Sequence, residues 1–280
     1  KHIEVQILGD NYGNAVHLFE RDCSIQRRHQ KIIEFTPSLS ITEEQRQAIC
    51  EDALKIARSV NYRNAGTVEF LVDRNGDHFF IEMNPRIQVE HTVTEMVTDI
   101  DIVQTQILIA QGLRLDSKEI GITSQDDVAV SGAAIQCRIT TEDPQNNFMP
   151  DTGKLEVYRT GGGYGLRLDS GNGFTGAYIS PYYDSLLVKM TAFAKDFEKA
   201  RTKAVRGLKE IEIEGVKTNK DFLINVLEHP TFINGNCDTN FIDQNPELFK
   251  LRFRGNEEKR LLNFLGEKVV NETTGNKADF

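Results

Sequence analysis

Residues 82–91 read EMNPRIQVEH, and their polar side chains recur at every second position. The polar positions are Glu82, Asn84, Arg86, Gln88 and Glu90. Successive side chains of an extended chain point to opposite faces, so these five groups are expected to share one face. A row of carboxylate, amide, guanidinium, amide and carboxylate groups raises the question of which ligand it holds.

A β-hairpin that ends in this stretch predicts a metal site. The strand-like runs TVEFLV and HFFIEM flank Asn75-Gly76, a pair that favours a two-residue type I′ turn. That turn places Glu69 opposite Glu82, where like charges destabilise a sheet. Mg²⁺ relieves such repulsion because it prefers oxygen ligands, and Asn84 adds an amide oxygen. The alternative is an edge hairpin whose two glutamates face water.

The second half of the row suggests an anion site. Arg86 and Gln88 present donors that suit a small planar oxyanion, and Glu90 is placed to remove a proton. Pro85 interrupts strand hydrogen bonding, which predicts an edge or irregular strand beside a cleft. The alternative reading is an edge strand that alternates charge for solubility.

Composition narrows the classes of partner. The 280 residues carry a formal net charge of −9, which argues against nucleic acid as a bulk partner. The four cysteines form no CxxC pair and no zinc-type spacing, so reduced thiols are expected. No apolar run approaches a membrane span and no secretory signal is present. The chain opens on strand-like HIEVQIL without a methionine, which suggests a fragment or an excised domain.

Two capping patterns predict helices in the first half of the chain. Thr42 with Gln45 forms a capping box that begins a helix, and Thr92 with Glu95 forms a second one. The first helix has an apolar stripe at helical spacing, made of Ile49, Ala53, Ile56, Ala57 and Val60. Beyond a polar stretch at 113–128 the chain becomes strand-rich, with further helices near 196–210 and 219–227.

Long motifs in the sequence resemble the biotin carboxylase component of biotin-dependent carboxylases, which are ATP-grasp enzymes. The resemblance is carried by EMNPRIQVEHTVTEM, ERDCSIQRRHQK, GTVEFL, IQCRITTEDP, GGGYGLRLDS, SPYYDSLLVKM and GVKTNKDFLINVL, and it covers most of the chain. The stretch FTGAYISPYYDSLLVK and the tail FIDQNPELFKLRFR are most similar to pyruvate-carboxylating members.

The resemblance implies an α+β fold in three parts. Residues 1–125 would form the C-terminal part of an ATP-grasp domain that lacks its lid and N-terminal subdomain. Residues 126–245 would form a biotin carboxylase C-terminal domain, an antiparallel β domain with helices. Residues 246–280 would form a linker or tail segment.

The resemblance also implies a role for each matching residue. The nucleotide contacts would be His2, Gln26, His29, Glu69 and Leu71. Mg²⁺ or Mn²⁺ would be bound beneath the ATP phosphates by Glu69, Glu82 and Asn84. Bicarbonate would be surrounded by Lys31, Arg86, Gln88, the Val89 backbone and Glu90.

The catalytic residues implied by the resemblance are Arg86, Glu90 and Lys31. Glu90 would act as the general base, so that bicarbonate attacks the γ-phosphate of ATP to give carboxyphosphate. Arg86 would stabilise the biotin enolate, and Arg138 would contact biotin itself. This chemistry is the first half-reaction of a biotin-dependent ligase.

Biotin is expected to be carried on another domain. Lys189-Met190 lies in a strand-like run and not in the Met-Lys-Met tip of a carrier hairpin. The implied partners are a biotin carrier domain and a carboxyltransferase domain of the same enzyme, within a homo-oligomer. No nucleic acid or membrane is implied. The compartment would be the bacterial cytoplasm, or the mitochondrial matrix in a eukaryote.

Two alternatives stay open. The chain would be inactive alone if lid closure is needed to exclude water, and it would then be a catalytically incomplete binding or assembly module. The other alternative is the biotin carboxylase of an acyl-CoA carboxylase, against which the tail motif NPELF argues.

Overall fold

The computed structural model describes residues 1–171, 173–250 and 257–274, with side chains described only for 261–269 of the last range. Of the predicted tail over 246–280, residues 251–256 and 275–280 lie outside this description. Lys1–Phe249 form one compact unit, and the helix α8 (Glu257–Thr274) lies in a second unit. The division at residue 125 stays a prediction.

The first unit contains both strands and helices, which confirms the predicted α+β class. Its strands are β1 (His2–Gly9), β2 (Ala15–Arg27), β3 (Gln30–Thr36), β4 (Asn64–Val72), β5 (His78–Asn84), β6 (Ala133–Thr140), β7 (Glu142–Asp143), β8 (Met149–Pro150), β9 (Gly153–Lys154), β10 (Val157–Arg159), β11 (Leu166–Ser170), β12 (Tyr178–Ile179), β13 (Leu186–Ala194) and β14 (Glu212–Glu214). Its helices are α1 (Glu43–Ser59), α2 (His91–Thr98), α3 (Ile102–Ala110), α4 (Phe197–Glu210), α5 (Lys220–Glu228), α6 (Pro230–Ile233) and α7 (Phe241–Gln244). Short 3₁₀ helices cover Gln125–Asp127, Pro144–Asn146 and Pro246–Phe249.

An eight-stranded antiparallel sheet unites the two sequence halves. The strands lie side by side in the order β11, β13, β6, β3, β2, β1, β4 and β5. The junction between the halves is the pairing of β3 with β6, in which Ile33 lies opposite Cys137. As a result, side chains near residue 31 and side chains near residue 138 lie on neighbouring strands. In the part of the chain that the structure describes, β10 also pairs with β14, β9 with β12 and β7 with β8.

Helix α1 begins where the first capping box predicts. The Gln45 N–H donates to Thr42 Oγ1 at 3.3 Å, and the Thr42 N–H donates to Gln45 Oε1 at 2.8 Å. Most of the predicted stripe packs in the apolar cluster beneath β1 and β4, but Val60 is 61% exposed. Val60 was misplaced because the helix ends at Ser59, which leaves Val60 as its C-cap.

The β4–β5 hairpin brings Glu69 opposite Glu82, although the predicted two-residue turn is wrong. The Gly76 N–H donates to the Asp73 carbonyl at 3.3 Å, and Gly76 alone of the predicted turn pair has a positive φ, at 90°. A type I′ turn requires positive φ at both central residues. The longer loop shifts the strand register by one residue, so that Phe70 lies opposite Phe80. A β-bulge that leaves Ile81 unpaired then restores the predicted register at Glu69 and Glu82.

Two further features concern the cysteines and the helices. All four cysteines are buried and unpaired. Among the residues that the structure describes, every helix is too short or too polar to cross a bilayer.

His17 should make the stability of the fold pH-dependent. Its Nδ1 accepts the Phe19 N–H at 3.2 Å, and burial, with Arg58 nearby, lowers the pKa of His17 to about 4. An unfolded histidine has a pKa of about 6.5, so below that pH the unfolded chain binds a proton that the folded chain does not. Stability is therefore complete above about pH 6.5 and is lost as the pH falls towards 4.

The measurement is urea unfolding at pH 7 and pH 4.5 for the parent and for His17→Asn, which keeps an acceptor but does not titrate. We expect the variant to lose about 2–3 kcal/mol less than the parent between the two pH values. Equal losses in both proteins would contradict this assignment.

Candidate active site

One cavity of about 510 Å³ collects most of the residues that the sequence singled out. The predicted residues in its lining are His2, His29, Lys31, Glu69, Glu82, Asn84, Arg86, Gln88, Val89, Glu90 and Arg138. Gln26 and Leu71 do not line it. Gln26 lies behind His2, with its Nε2 2.5 Å from His2 Nδ1. Leu71 is half-exposed on β4, two residues beyond Glu69.

The row in EMNPRIQVEH reaches this cavity in a different backbone conformation from the predicted one. Strand β5 ends at Asn84, so only Glu82 and Asn84 belong to an extended segment. Pro85 to Glu90 form an irregular connection that leads into α2, as expected for a chain interrupted by proline. Arg86 is exposed, whereas Gln88 and Glu90 are buried.

The second predicted capping box is wrong, and the true helix start matters for the site. Helix α2 begins at His91 with Glu90 as its N-cap, and the Glu90 side chain makes no capping hydrogen bond. Thr92 lies inside the helix, where its hydroxyl donates to Gln136 Oε1 at 2.5 Å. A buried tertiary hydrogen bond thus replaces the local one, and the Glu90 carboxylate is directed into the cavity.

Lys31 is the central cation of the cavity. Its ammonium donates to Glu90 Oε1 at 2.6 Å, to Glu69 Oε1 at 3.1 Å and to Glu4 Oε2. Burial lowers the pKa of Lys31, but Cys23, Glu4 and the other carboxylates raise it above its ordinary value. Lys31 is therefore positively charged at neutral pH.

Glu90 lies between two cations. Its second oxygen, Oε2, accepts from Arg138 Nη2 at 2.9 Å. Arg138 also donates through Nε to Glu34 Oε1 at 2.6 Å. The pairing of β3 with β6 explains this contact, because it sets the Arg138 strand beside the Lys31 strand. Burial raises the pKa of Glu34, although the Arg138 charge opposes that rise.

Arg21 lies behind the cavity and is fully buried. Each of its five N–H groups has an acceptor: Glu4 Oε1 at 2.5 Å, Gln6 Oε1 at 2.8 Å, Thr94 Oγ1 at 3.1 Å, Thr67 Oγ1 at 3.1 Å and Gln88 Oε1 at 3.0 Å. A guanidinium only donates, so it fixes the oxygen of the Gln88 amide on its own side. The Gln88 nitrogen then faces Glu69, at 2.8 Å from Oε1.

The donor set of Glu69, Glu82 and Asn84 fits a hard divalent cation. The Asn84 side-chain nitrogen donates to Glu69 Oε1 at 2.9 Å and to Glu82 Oε1 at 3.0 Å, so both carboxylates converge on one amide. A rotated amide presents its oxygen to an ion at that position. Burial raises the pKa of Glu69, but the His2 hydrogen bond and the Lys31 charge outweigh it and hold the pKa at about 2. Glu69 is therefore ionised at neutral pH.

The remaining predicted contacts surround this set. His2 Nε2 lies 2.6 Å from Glu69 Oε2. His29 lies at the exposed turn between β2 and β3, where Arg28 and His29 both have positive φ. The individual roles of these residues stay predictions.

Sequence reasoning missed Glu4, Arg21 and Glu34, which hold the predicted residues in place. His2, Glu4 and Gln6 alternate in a strand whose other face is apolar, and that signal was present in HIEVQIL. For Arg21 and Glu34 the sequence carries no comparable signal, because their partners are remote in the chain.

Two domain families match the chain. Residues 1–118 match the carbamoyl-phosphate synthase L chain, ATP binding domain, and residues 136–244 match the biotin carboxylase C-terminal domain. Together the two matched ranges cover most of the chain.

The chain is also similar to curated pyruvate carboxylases. The chain is 58% identical over 275 residues to pyruvate carboxylase of Bacillus subtilis, covering 98% of this chain and 24% of that protein. It is 55% identical over 274 residues to the mitochondrial pyruvate carboxylase of Homo sapiens, covering 98% and 23%. The chain thus spans about a quarter of the length of these relatives.

Solved structures agree with these relatives. Pyruvate carboxylase from Rhizobium etli matches with a TM-score of 0.87 and 51% identity, covering 90% of this chain and 25% of that one. The biotin carboxylase domain of Hydrogenobacter thermophilus 2-oxoglutarate carboxylase, a dimer in complex with MgADP, ADP and bicarbonate, matches with a TM-score of 0.86 and 45% identity, covering 90% and 54%.

Replacing Arg21 should destabilise the fold strongly. Arg21→Met removes five hydrogen bonds from buried acceptors and one of the two cations beside Glu4. We expect the free energy of unfolding to fall by about 3–5 kcal/mol, the usual effect of breaking a buried ion pair. The measurement is equilibrium unfolding in urea.

Arg159→Met is the matched control, because Arg159 pairs with Glu212 at 2.7 Å on the exposed surface. Exposed pairs contribute about 0–1 kcal/mol. The proposed importance of Arg21 would be wrong if both variants lost the same small amount.

Proposed function

We propose that this chain supplies the metal, bicarbonate and general-base residues of the ATP-dependent biotin carboxylase of a pyruvate carboxylase. The observation that carries the proposal is the contact of Glu90 with both Lys31 and Arg138, beside a carboxylate pair suited to Mg²⁺. This arrangement occurs in a chain 58% identical to a curated pyruvate carboxylase.

The nucleotide end of the proposed site is formed by β1, β4 and β5. Glu69, Glu82 and Asn84 would hold the metal, either Mg²⁺ or Mn²⁺. The 2-oxoglutarate carboxylase relative was solved with MgADP, which favours Mg²⁺. A divalent ion supplies charge neutralisation to the phosphates during transfer. The remaining nucleotide contacts would be His2, Gln26, His29 and Leu71, with Leu71 against the adenine.

Bicarbonate would bind where the cations converge. Its proposed contacts are Lys31, Arg86, Gln88, the Val89 backbone and Glu90. Glu90 takes the bicarbonate proton, and the freed oxygen attacks the γ-phosphorus of ATP. The bond from that phosphorus to the bridging oxygen breaks, which yields ADP and carboxyphosphate. Lys31 holds the Glu90 carboxylate in place for this transfer at 2.6 Å.

Biotin would enter as a substrate carried on another domain. Carboxyphosphate divides into CO₂ and phosphate, and the phosphate takes the proton from biotin N1′. The deprotonated N1′ then forms a bond to the carbon of CO₂, which gives carboxybiotin and leaves the protonated phosphate as the second product. Arg86 stabilises the negative charge that develops on the biotin oxygen, and Arg138 contacts the biotin ring system. Stabilising developing charge with a preplaced donor contributes several kcal/mol in many enzymes.

The intact enzyme would supply the missing parts. A carrier domain and a carboxyltransferase domain would complete the reaction, within a homo-oligomer. We extend the proposal to the domain limits, with 1–125 as ATP-grasp, 126–245 as the C-terminal domain and 246–280 as a linker. The compartment would be the bacterial cytoplasm or, in a eukaryote, the mitochondrial matrix.

The final acceptor is proposed from the relatives. The Bacillus subtilis and Homo sapiens relatives, which match 98% of the chain at 58% and 55% identity, are both pyruvate carboxylases, which favours pyruvate over 2-oxoglutarate. The biotin carboxylase reaction itself is common to both.

Glu82→Gln should weaken MgADP binding by this chain. The substitution removes one of the two charged groups proposed to bind the metal. Loss of an outer-shell partner lowers metal affinity by roughly 10–100-fold, so MgADP affinity should fall by at least that factor. The measurement is calorimetric titration of MgADP across a series of Mg²⁺ concentrations.

Glu142→Gln is the control, since Glu142 lines the same cavity but bonds to Thr140 and Ser185 instead. Unchanged affinity in Glu82→Gln at every Mg²⁺ concentration would remove the metal role.

Glu90→Gln should abolish bicarbonate-dependent ATP cleavage. The assay uses a chimaera in which this chain replaces the segment of Bacillus subtilis pyruvate carboxylase with which it aligns, so that the rest of the enzyme is present. Loss of a general base typically lowers the rate by about 10²–10⁴-fold. MgADP affinity should persist, because the metal ligands are unchanged.

Glu142→Gln serves again as the control, and it should keep its bicarbonate-dependent rate. The general-base assignment would be overturned by a Glu90→Gln chimaera that cleaves ATP at the parent rate. A parent chimaera that is inactive would overturn the proposed function itself.

A further inference from the structure

Lys189 lies outside the cavity but bonds to its wall. It is a residue of β13, and its ammonium donates to the Val89 carbonyl at 2.9 Å across a hundred residues of sequence. Val89 lines the cavity and immediately precedes Glu90. The hydrogen bond therefore joins the second half of the chain to the main chain of the proposed bicarbonate subsite.

The position of Lys189 in the sheet explains its reach. Lys189 lies directly opposite Arg138 on β6 and opposite Asp169 on β11. Facing side chains on neighbouring strands lie about 5 Å apart, and facing like charges are destabilising unless each finds a partner. Arg138 bonds to the Glu90 side chain, and Lys189 bonds to the main chain one residue earlier. Two adjacent cations thus hold consecutive residues of the connection.

The connection needs such support because it is not part of the sheet. Pro85 to Glu90 have neither strand nor helical structure, so main-chain pairing of the sheet does not fix them. Its local bonds are few. Arg86 Nη1 donates to the Ile87 carbonyl at 3.1 Å, and at the helix start the Gln88 carbonyl accepts the His91 N–H at 3.3 Å and lies 2.8 Å from the His91 ring. Lys189 adds a bond from outside the segment.

We propose that Lys189 is a positioning residue for the bicarbonate subsite. Through the Val89 carbonyl it fixes the peptide plane that joins Val89 to Glu90, and so it fixes the direction in which the Glu90 carboxylate leaves the chain. Lys189 does not line the cavity, so it would act on bicarbonate only through Val89 and Glu90. The catalytic part of this inference rests on the proposed function.

The role predicts a selective kinetic defect. Lys189→Met removes the donor but keeps a long apolar stem, so Glu90 loses its alignment while β1, β4 and β5 keep the metal ligands. In the chimaera, kcat/KM for bicarbonate should fall by about 10–100-fold, as for other outer-shell partners. MgADP affinity and Tm should match those of the parent. Lys189→Arg, which restores a donor, should recover most of the activity.

Lys203→Met is the matched control. The Lys203 ammonium also donates to a main-chain carbonyl of β13, that of Phe193 at 3.0 Å, but it does so away from the cavity. This variant should keep the parent kcat/KM for bicarbonate. The inference is overturned if Lys189→Met falls no further than Lys203→Met, or if its loss comes with an equal loss of MgADP affinity.

Hydrogen exchange in the 280-residue chain separates this inference from the proposed function. Lys189→Met should raise the amide exchange rates of residues 89–91, and Lys203→Met should not. Unchanged exchange would refute the positioning role even in an active enzyme. If Lys189→Met exchanges faster but the parent chimaera cleaves no ATP, the Lys189–Val89 hydrogen bond holds the connection and the proposed function is wrong.

Discussion

The carboxylate of Glu4 is shared by two cations, and the candidate site depends on this buried contact. Glu4 Oε1 accepts a hydrogen bond from Arg21, and Glu4 Oε2 accepts one from Lys31. Moving a charged side chain out of water costs several kcal/mol. The attraction between the buried charges offsets this cost only when every donor also has a hydrogen-bond acceptor. Arg21 meets that condition with five acceptors. Burial raises the pKa of Glu4, but the two cations outweigh it and hold the pKa at about 2.

This contact organises the cavity in two directions. Towards the nucleotide end it sets Lys31 beside Glu69, whose charge suits a metal ion. Towards the second half of the chain it sets Lys31 beside Glu90, which Arg138 also contacts. The pairing of β3 with β6 makes the second direction possible, because it places cations from both halves around one connection. Sheet topology therefore determines the chemistry that the cavity can perform.

The sequence predicted the opposition of Glu69 and Glu82 correctly, but the reason was incomplete. Two one-residue shifts cancel, one in the turn at Gly76 and one in the bulge at Ile81. A local turn signal contains no information about a compensating bulge, so the register was right while the turn type was wrong. The second capping box failed for a related reason, since Thr92 satisfies a buried tertiary partner that sequence spacing does not show. Glu4 was recoverable from strand alternation, whereas Arg21 and Lys189 become informative only when remote strands are placed together.

A crystal structure of this chain with MgADP and saturating bicarbonate would test the proposed metal and bicarbonate subsites directly. We expect a metal ion between Glu69 and Glu82, and a planar anion within hydrogen-bond distance of Lys31, Arg86 and the Val89 N–H. A structure that contains MgADP, but in which the anion binds elsewhere or no anion lies beside Lys31 and Glu90, would refute the proposed bicarbonate subsite.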